Sequence, residues 1–481
     1  MAQEPCLLPE ALDNIARFIN DRHTLQAFFA AVPMPEPAAL HDLVTNPDAS
    51  IFVMDRPTIV LYSAPELAST VARLYALLSL RPSLLVVVNS GTNLDYLGPL
   101  LPKVTAMTVE MHTATPTDET TWVRAIVRRC PHPNELHVHL AVRHKLVAPR
   151  LPLLAFPALR FLTLRTRVPL DGASIATIHA WLERGTAVGL SLDDVHFREA
   201  DARALCDALH ACHSLVELHL IDVAYLTLAM LGARPLPSTL RVFTYNRLYV
   251  RATPSPLLTA LRSANQLHTL DLSGGGHVIP GAIAELLPHF PHLRTLDLSG
   301  HKFEPQDDIL HLITAMAKVR SLEQIMLRRC DLPNEAISAL IECIPAWTSL
   351  RRLDLAGVRR IRAPQLQTML SVLLGCPHFA ILGLRFPLFT DATWRNIVPA
   401  LGAGLLHWRR LVFSECQPTA VQVLQLLRRL LEHNQEPFSV TCGKGYSEYA
   451  LQAAYSGLLH ELGPLQPPIQ ASPCVIAIEK V

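Results

Sequence analysis

The sequence predicts an α/β protein in which a short strand, a turn and a helix repeat along one solenoid. A six-residue pattern with leucine at its first, fourth and sixth positions recurs through the middle of the chain. A stripe of apolar residues with helical spacing follows the copies, and proline stands shortly before several of them. Because one such unit cannot bury its own apolar face, neighbouring units must stack around one continuous core.

The six-residue pattern predicts the strands, because residues two apart point to the same side of a strand. From the first copy to the last, the spacing averages about 28 residues, which is within the range of leucine-rich repeats. Clear copies begin at Leu159, Leu215, Leu267, Leu293, Leu322 and Leu350. Weaker copies begin at Val104, Pro133, Ala187, Leu240, Phe379 and Trp408.

The apolar stripes predict one helix after each strand, because residues spaced i, i+3, i+4 and i+7 share one helix face. Proline ends such a helix and favours extended backbone in the residue before it. Prolines stand two residues before a strand anchor at Pro102, Pro157, Pro291 and Pro377. The clearest stripes are Ile309, Leu312, Ile313 and Met316; Ile337, Leu340, Ile341 and Ile344; Leu366, Met369, Leu370 and Leu373; and Trp394, Ile397, Val398 and Leu401.

The best copy of the repeat is LEQIMLRRCDLPNEAISALIECI at 322–344, with Cys330 in the turn after the strand. It resembles the long leucine-rich repeats typified by ribonuclease inhibitor, which place asparagine or cysteine at that position. The resemblance implies a horseshoe with parallel strands on its concave face and helices on its convex face. Since only Cys330 and Cys416 hold the position, we expect most of the other turns to be degenerate.

The pattern divides the chain into four predicted segments. Residues 1–45 carry helical spacing and no strand, so they predict a small all-helical module. Residues 46–103 hold strand-like runs at Thr58–Tyr62 and Leu84–Val88, which we interpret as irregular first repeats. Residues 104–445 form the repeat solenoid. The strand pattern fades after Phe438, and residues 446–481 are predicted to cap the open end, as solenoids require.

Residues 8–33, LPEALDNIARFINDRHTLQAFFAAVP, predict two short helices separated by a polar break at Asn20 and Asp21. This segment resembles the first part of an F-box, a small helical module that binds a Skp-type adaptor and links its chain to a cullin ubiquitin ligase. The alternative is that the two helices only cap the first repeat. The resemblance implies adaptor contacts at Pro9, Leu12, Ile15, Ile19, Leu25 and Phe28.

Composition and charge narrow the partners and the compartment. With 42 basic and 41 acidic side chains the net charge is +1, so no overall field draws the chain to nucleic acid or to an anionic membrane. The N-terminus lacks the features of a signal peptide, and no apolar run approaches the ~20 residues of a membrane span. The ten cysteines are scattered singly, which predicts reduced, mostly buried thiols. We therefore expect a soluble protein of the cytoplasm, the nucleus or both.

No catalytic, cofactor or metal site is predicted. The chain has no GxSxG, HExxH or phosphate-binding loop motif, and no recognisable His or Asp arrangement surrounds Cys442. His137 and His139 share one strand face, but two histidines are too few for structural zinc, which takes four ligands. We therefore expect a protein that is not an enzyme and needs no cofactor.

The residues between the leucines predict the binding surface, because alternation places them on the concave face. This face is acidic in the middle repeats and carries arginines in the last four, and guanidinium groups suit carboxylate and phosphate groups. We interpret it as a docking site for an acidic or phosphorylated segment of a partner protein. The alternative is a solvated surface on which Asp354 pairs with one arginine. The candidate residues are Arg328, Arg352, Arg385, Arg410, Asp271 and Asp297.

Together these features predict a protein-binding receptor. The F-box resemblance implies the substrate-recognition subunit of a Skp-cullin-F-box ubiquitin ligase, with the adaptor on the N-terminal helices and the substrate on the repeats. Such a subunit raises the effective concentration of a substrate lysine near a recruited conjugating enzyme. The alternatives are a leucine-rich-repeat scaffold or inhibitor outside the ubiquitin system, and a regulator of a small GTPase.

Overall fold

A computed structural model describes the fold over part of the chain. The predicted module at 1–45 and the predicted strand at Thr58–Tyr62 lie outside the described residues. The described residues fall into two compact units, divided between Glu217 and Leu218. They are 85–89, 106–111, 135–140, 157–166, 170, 172–223, 230–246, 255–274, 277–278, 280–303, 306–358, 361–384, 398, 410–413, 425, 438–442, 469–472 and 475–478.

The described part of the N-terminal unit consists of parallel strands and two helices. The strands are β1 Leu85–Asn89, β2 Ala106–Met111, β3 Glu135–Leu140, β4 Phe161–Thr166 and β5 Gly189–Asp193. They pair in chain order, each parallel to the next. The helices are α1 Gly172–Glu183 and α2 Glu199–Ala211, which pack against each other. Strand β1 confirms the strand predicted at Leu84–Val88.

The core of the N-terminal unit lies between the strands and the two helices. Leu162 and Leu164 of β4 are buried, whereas Thr163 between them keeps partial exposure. From the helical side, Trp181 of α1 is fully buried. Its indole Nε1 donates a hydrogen bond to the carbonyl oxygen of Leu159 at 2.9 Å, so the helix is held to the start of the preceding strand.

The strands of the C-terminal unit begin with β6, which spans the division. They are β6 Glu217–Ile221, β7 Val242–Asn246, β8 Thr269–Asp271, β9 His277–Val278, β10 Thr295–Asp297, β11 Lys302–Phe303, β12 Gln324–Met326, β13 Arg352–Leu355, β14 Ile381–Leu384, β15 Arg410–Phe413, β16 Phe438–Cys442, β17 Ile469–Ser472 and β18 Val475–Ile478. A main parallel series runs β7, β8, β10, β12, β13, β14, β15 and β16. The short strands β9 and β11 pair with each other in a separate parallel sheet.

The main series ends in two strands that the leucine pattern did not predict. Strand β18 pairs with β16 in the antiparallel direction, and β17 pairs with β18 in the same manner. The backbone of β16 therefore has a neighbour on the side away from β15. That residues 446–481 act as a cap stays a prediction.

From β7 to β14, one helix lies between each two successive strands of the main series, and these helices form a second layer. They are α3 Ser255–Ala260, α4 Pro280–Leu286, α5 Gln306–Lys318, α6 Asn334–Cys343 and α7 Ala363–Leu374. Each packs against the next. The apolar stripes predicted from Ile309, Ile337 and Leu366 are confirmed, because every residue in them is at most 5% exposed. Of the stripe predicted from Trp394, only Val398 is described, and it is helical and buried.

Burial alternates along the strands of the main series as the leucine pattern predicts. In β8, β10 and β12, the middle residue is buried and its two neighbours keep partial exposure. Those buried residues, Leu270, Leu296 and Ile325, contribute to the core together with the helix stripes. The observed elements confirm the α/β class, with parallel strands on one side of the core and helices on the other.

The turns after six of the described strands, β5, β6, β8, β10, β12 and β13, share one backbone feature that the sequence did not reveal. One residue of each such turn has a positive φ, and glycine often occupies the position because it has no Cβ to clash in that conformation. The amide of the turn residue donates to the next repeat: Gly300 to the carbonyl of Arg328 at 2.6 Å, and Arg329 to that of Ala356 at 2.7 Å. The residues are Asp194, Asp222, Gly274, Gly300, Arg329 and Gly357.

A side-chain hydrogen bond also joins successive turns. The Cys330 thiol donates to the carbonyl oxygen of Leu298, the last leucine of the preceding repeat, at 3.1 Å. His301 stands at the corresponding position one repeat earlier, and its Nε2 contacts the carbonyl oxygen of Leu272. His301 therefore bonds the equivalent carbonyl oxygen, that of the last leucine in its own preceding repeat. The turn at His301 is for this reason not degenerate.

The described cysteines agree with the prediction of reduced, mostly buried thiols. Five of them are free thiols: Cys206, Cys212, Cys330 and Cys376 are buried, and Cys343 is partly exposed. Among the helices that the structure describes, none has the length and apolar character needed to span a bilayer.

Candidate binding site on the strand face

The side chains that point away from the core form rows across the main parallel series. We define the middle row by its register across neighbouring strands. It runs Thr244, Asp271, Asp297, Met326, Asp354 and Gly383. Two of the predicted partner-binding residues, Asp271 and Asp297, are therefore direct neighbours in this row.

Asp271 and Asp297 close the same local turn at the ends of their strands. The Asp271 carboxylate accepts a hydrogen bond from the amide of Ser273 at 2.9 Å. Asp297 accepts one from the amide of Ser299 at 2.8 Å. An aspartate that bonds the amide two residues on is a common way to turn the chain, so the acidic row has a structural role at each strand end.

The surroundings of Asp297 favour its protonated form. Burial raises the pKa of this carboxyl above its ordinary value of 3.8, and this effect is the largest. The hydrogen bonds from Ser299 lower the pKa, the negative charge of Asp271 raises it, and the positive charge of Arg328 lowers it. The pKa remains raised as the net result.

Two predicted arginines converge on one buried carboxylate. Arg328 follows β12, and its Nε donates to Oδ2 of Asp354 at 2.7 Å, while its Nη2 lies 2.7 Å from the same oxygen. Arg352 begins β13 and donates to this oxygen from Nη2 at 3.0 Å. The other oxygen, Oδ1, accepts the amide of Ala356 at 3.2 Å. We call Arg328, Arg352 and Asp354 the arginine site.

The three members of the arginine site differ in exposure. The Asp354 side chain is 0% exposed, whereas those of Arg328 and Arg352 are 46% and 26% exposed. The two arginines therefore cover the carboxylate and still face solvent. A surface on which Asp354 pairs with one arginine does not describe this site, since Asp354 binds both and is buried beneath them.

Gly383 makes room for the buried aspartate. It lies on β14 directly beside Asp354 in the middle row. A methyl group at position 383 would place its carbon 2.6 Å from Cγ of Asp354 and 3.0 Å from Oδ2, which is closer than such atoms approach in proteins. Glycine is therefore required here for Asp354 to lie flat against the sheet. A glycine in register with an aspartate was the available sequence signal, and it becomes readable only once the strand register is known.

The arginine site combines two positive charges with one negative charge. Some donors of its guanidinium groups are not used within the site. Nε of Arg352 is buried without a hydrogen-bond partner among the described residues, so the groups that an outside anion can reach are the solvent-exposed parts of Arg328 and Arg352. Because charge-assisted hydrogen bonds from paired guanidinium groups are strong, the site can bind an anionic group from outside.

Of the two remaining predicted partner-binding arginines, only Arg410 lies within the described residues. Arg410 begins β15 and is in register with Ile381, which is in register with Arg352. Arg385 lies outside the described residues. So do the six predicted adaptor contacts, Pro9, Leu12, Ile15, Ile19, Leu25 and Phe28.

The described residues show no arrangement suited to metal binding. Within the described part of the chain, no group of three or more His, Cys, Asp or Glu could hold a metal ion. His137 and His139 lie on β3 in register with Thr163 and Arg165. Burial raises the pKa of the Cys330 thiol to about 12, so this cysteine is not a nucleophile at neutral pH.

No protein-family model matches the sequence, and no curated protein matches it either.

Proposed function

We propose that this chain is a non-catalytic leucine-rich-repeat protein that binds a partner protein on the outward face of its strands. The observation that carries the proposal is the arginine site, where Arg328 and Arg352 are held on a buried aspartate and still face solvent. Parallel strands in register support it, since they hold the outward side chains at fixed spacing. A rigid face of this kind favours binding because little side-chain freedom is lost on contact.

The proposed partner is the substrate of a ubiquitin ligase. This part of the proposal is supported by the F-box resemblance of residues 8–33, which would bind a Skp-type adaptor through Pro9, Leu12 and Ile15, among others. The repeats would then hold the substrate near the conjugating enzyme. A scaffold outside the ubiquitin system would share the strand face and lack the adaptor.

The strand-face proposal is tested by capturing partners from cells with matched variants. Replacing both arginines alone would leave the Asp354 charge buried and unpaired, which is strongly destabilising. We therefore choose the triple variant R328Q/R352Q/D354N, which removes all three charges together. The control E199Q/R203Q/R262Q also removes two positive charges and one negative charge, at three exposed residues in or next to the helices. Partners captured by the wild type and the control should be lost from the strand-face variant. Equal capture by all three proteins would refute the proposal.

The adaptor proposal needs a separate test. We expect a Skp-type adaptor to co-purify with the intact chain and to be lost when Leu12, Ile15 and Phe28 are each changed to aspartate. The strand-face variant above serves as the control and should retain the adaptor. Absence of the adaptor from the intact chain, with strand-face capture preserved, would favour the scaffold.

A further inference from the structure

The arginine site carries a net charge that selects among anions. Its two guanidinium groups contribute two positive charges, and the buried Asp354 carboxylate removes one of them. Oδ2 of Asp354 is already contacted by both arginines, and Oδ1 is bonded to the amide of Ala356. The carboxylate is therefore fully used inside the site, and one unit of positive charge remains for a ligand.

The same contacts fix the orientation of the arginines before any ligand arrives. Arg328 is held through two of its nitrogen atoms, Nε and Nη2, which restricts rotation of the guanidinium plane. Arg352 is held through Nη2, and Nε of Arg352 is buried with no hydrogen-bond partner among the residues described. A ligand that bonds the solvent-exposed part of these held guanidinium groups loses little additional side-chain entropy.

We infer that the arginine site binds a single carboxylate, the side chain of a glutamate or aspartate in the partner protein, and that Asp354 makes it prefer this group to a phosphorylated residue. The inference rests on the proposed function, because it concerns the same strand face. It deepens that proposal by naming the partner group and by giving Asp354 the role of a positioning and selecting residue.

Charge counting separates the two anions. A carboxylate of the partner would neutralise the site. A phosphoserine carries close to two negative charges at neutral pH, so it would leave excess negative charge directly above the buried Asp354. Repulsion between like charges in a partly buried site opposes the extra hydrogen bonds that a phosphate offers.

The inference is tested on the full-length protein with three synthetic peptides that differ at one residue: glutamate, phosphoserine or glutamine. Arginine labelled with ¹⁵N reports binding through the Nε–H signals of Arg328 and Arg352, assigned with R328K and R352K. At pH 7.5 the glutamate peptide should shift both signals and bind about tenfold more tightly than the glutamine peptide, as expected for a charge-assisted pair. The phosphoserine peptide should bind no more tightly than the glutamate peptide. Tighter binding of phosphoserine, or no shift with any peptide, would overturn the inference.

A variant of the selecting residue sharpens the test. In D354N the site gains one unit of positive charge, so the preference should move about tenfold toward phosphoserine. The control D308N makes the same change on helix α5 and should leave the preference as in the wild type. An unchanged preference in folded D354N would contradict the role of Asp354. If D354N does not fold, the comparison of the three peptides on the wild type decides alone.

Different results would refute the carboxylate preference and the proposed function. Partner capture that depends on the strand face, together with no glutamate preference in the titration, would refute the inference and leave the proposed function standing. Partner capture that is indifferent to the strand face would refute the proposed function itself.

Discussion

Asp354 and Gly383 depend on each other across two neighbouring strands. The aspartate occupies the space that a side chain at position 383 would need, and the glycine leaves that space open. The energetic consequence is a coupling between the two positions, which a pair of single substitutions and their combination can measure.

Gly383→Ala should lower the free energy of unfolding by about 1–3 kcal/mol, because the new methyl group would overpack the site. In a background that carries D354A, the same substitution should be nearly neutral, since the clashing carboxylate is gone. Urea unfolding of the two single variants, the double variant and the wild type gives the coupling. Costs that simply add would show that Asp354 and Gly383 do not share the space.

Because the pKa of Asp297 is raised, we expect the stability of the folded protein to depend on pH. Its pKa is raised in the folded protein, mainly by burial, so the folded state holds the proton more strongly than the unfolded state does. The ionised carboxylate is therefore destabilising at pH values above the folded pKa, and this effect disappears as the pH falls through that pKa.

We expect D297N to unfold at a higher urea concentration than the wild type at pH 7, and the difference to shrink as the pH is lowered toward 4. Asparagine can still accept the hydrogen bond from the amide of Ser299, so the turn is kept. A difference that stays constant from pH 7 to pH 4 would contradict the raised pKa.

The turn after the strand decides how closely successive repeats approach. Gly357 has a φ of 82°, and a Cβ there would lie 2.7 Å from Cγ of Arg329 and 3.2 Å from the Arg329 backbone nitrogen. The backbone conformation therefore favours glycine, and the close approach to Arg329 leaves no room for a larger residue. Gly185 has a φ of 71° with nothing near its absent side chain, so it isolates the conformational part.

Gly357→Ala should therefore destabilise the protein more than Gly185→Ala does. The control should lose about 1 kcal/mol from the positive φ alone, and the clash at Gly357 should add about another 1–3 kcal/mol. Thermal or urea unfolding of both variants provides the comparison. Equal losses would mean that the repeats can separate at this turn without cost.

At the level of elements, most of the described repeats could be predicted from the sequence. The leucine spacing predicts where strands such as β8 and β10 lie, and the apolar stripes predict α5 to α7, because periodicity reports burial directly. Strands β17 and β18 could not be predicted in this way, since they are antiparallel and carry no leucine pattern. The positive φ of Arg329 could not be predicted either, because arginine, unlike glycine, does not indicate a positive φ.

The arginine site could be predicted only in part from the sequence. Alternation correctly placed Arg328, Arg352 and Asp354 in successive outward positions. Their convergence depends on the register between β12, β13 and β14, which a single sequence does not determine. The burial of Asp354 depends in addition on Gly383, a residue whose contribution is the space that it leaves empty.

For the molecule as a whole, the composition follows from the two layers. The chain is 50% hydrophobic and only 17% charged, and the described helices, together with strands such as β4, β8, β10 and β12, contribute buried apolar side chains to the core. The net charge is +1, but charges are unevenly distributed on the strand face, where acidic residues of the middle row lie beside the arginine site. A partner with complementary charges would be oriented by this pattern more than by the charge of the whole molecule.

Photo-crosslinking in cells is the most direct test of whether a partner protein binds on the strand face. Para-benzoylphenylalanine placed at Met326 lies in the middle row between Asp297 and Asp354. The same group placed at Leu310, which is 40% exposed on α5, reports on the helix face. We expect a crosslinked partner from position 326 and none from position 310. A partner crosslinked from position 310 and absent from position 326 would contradict it.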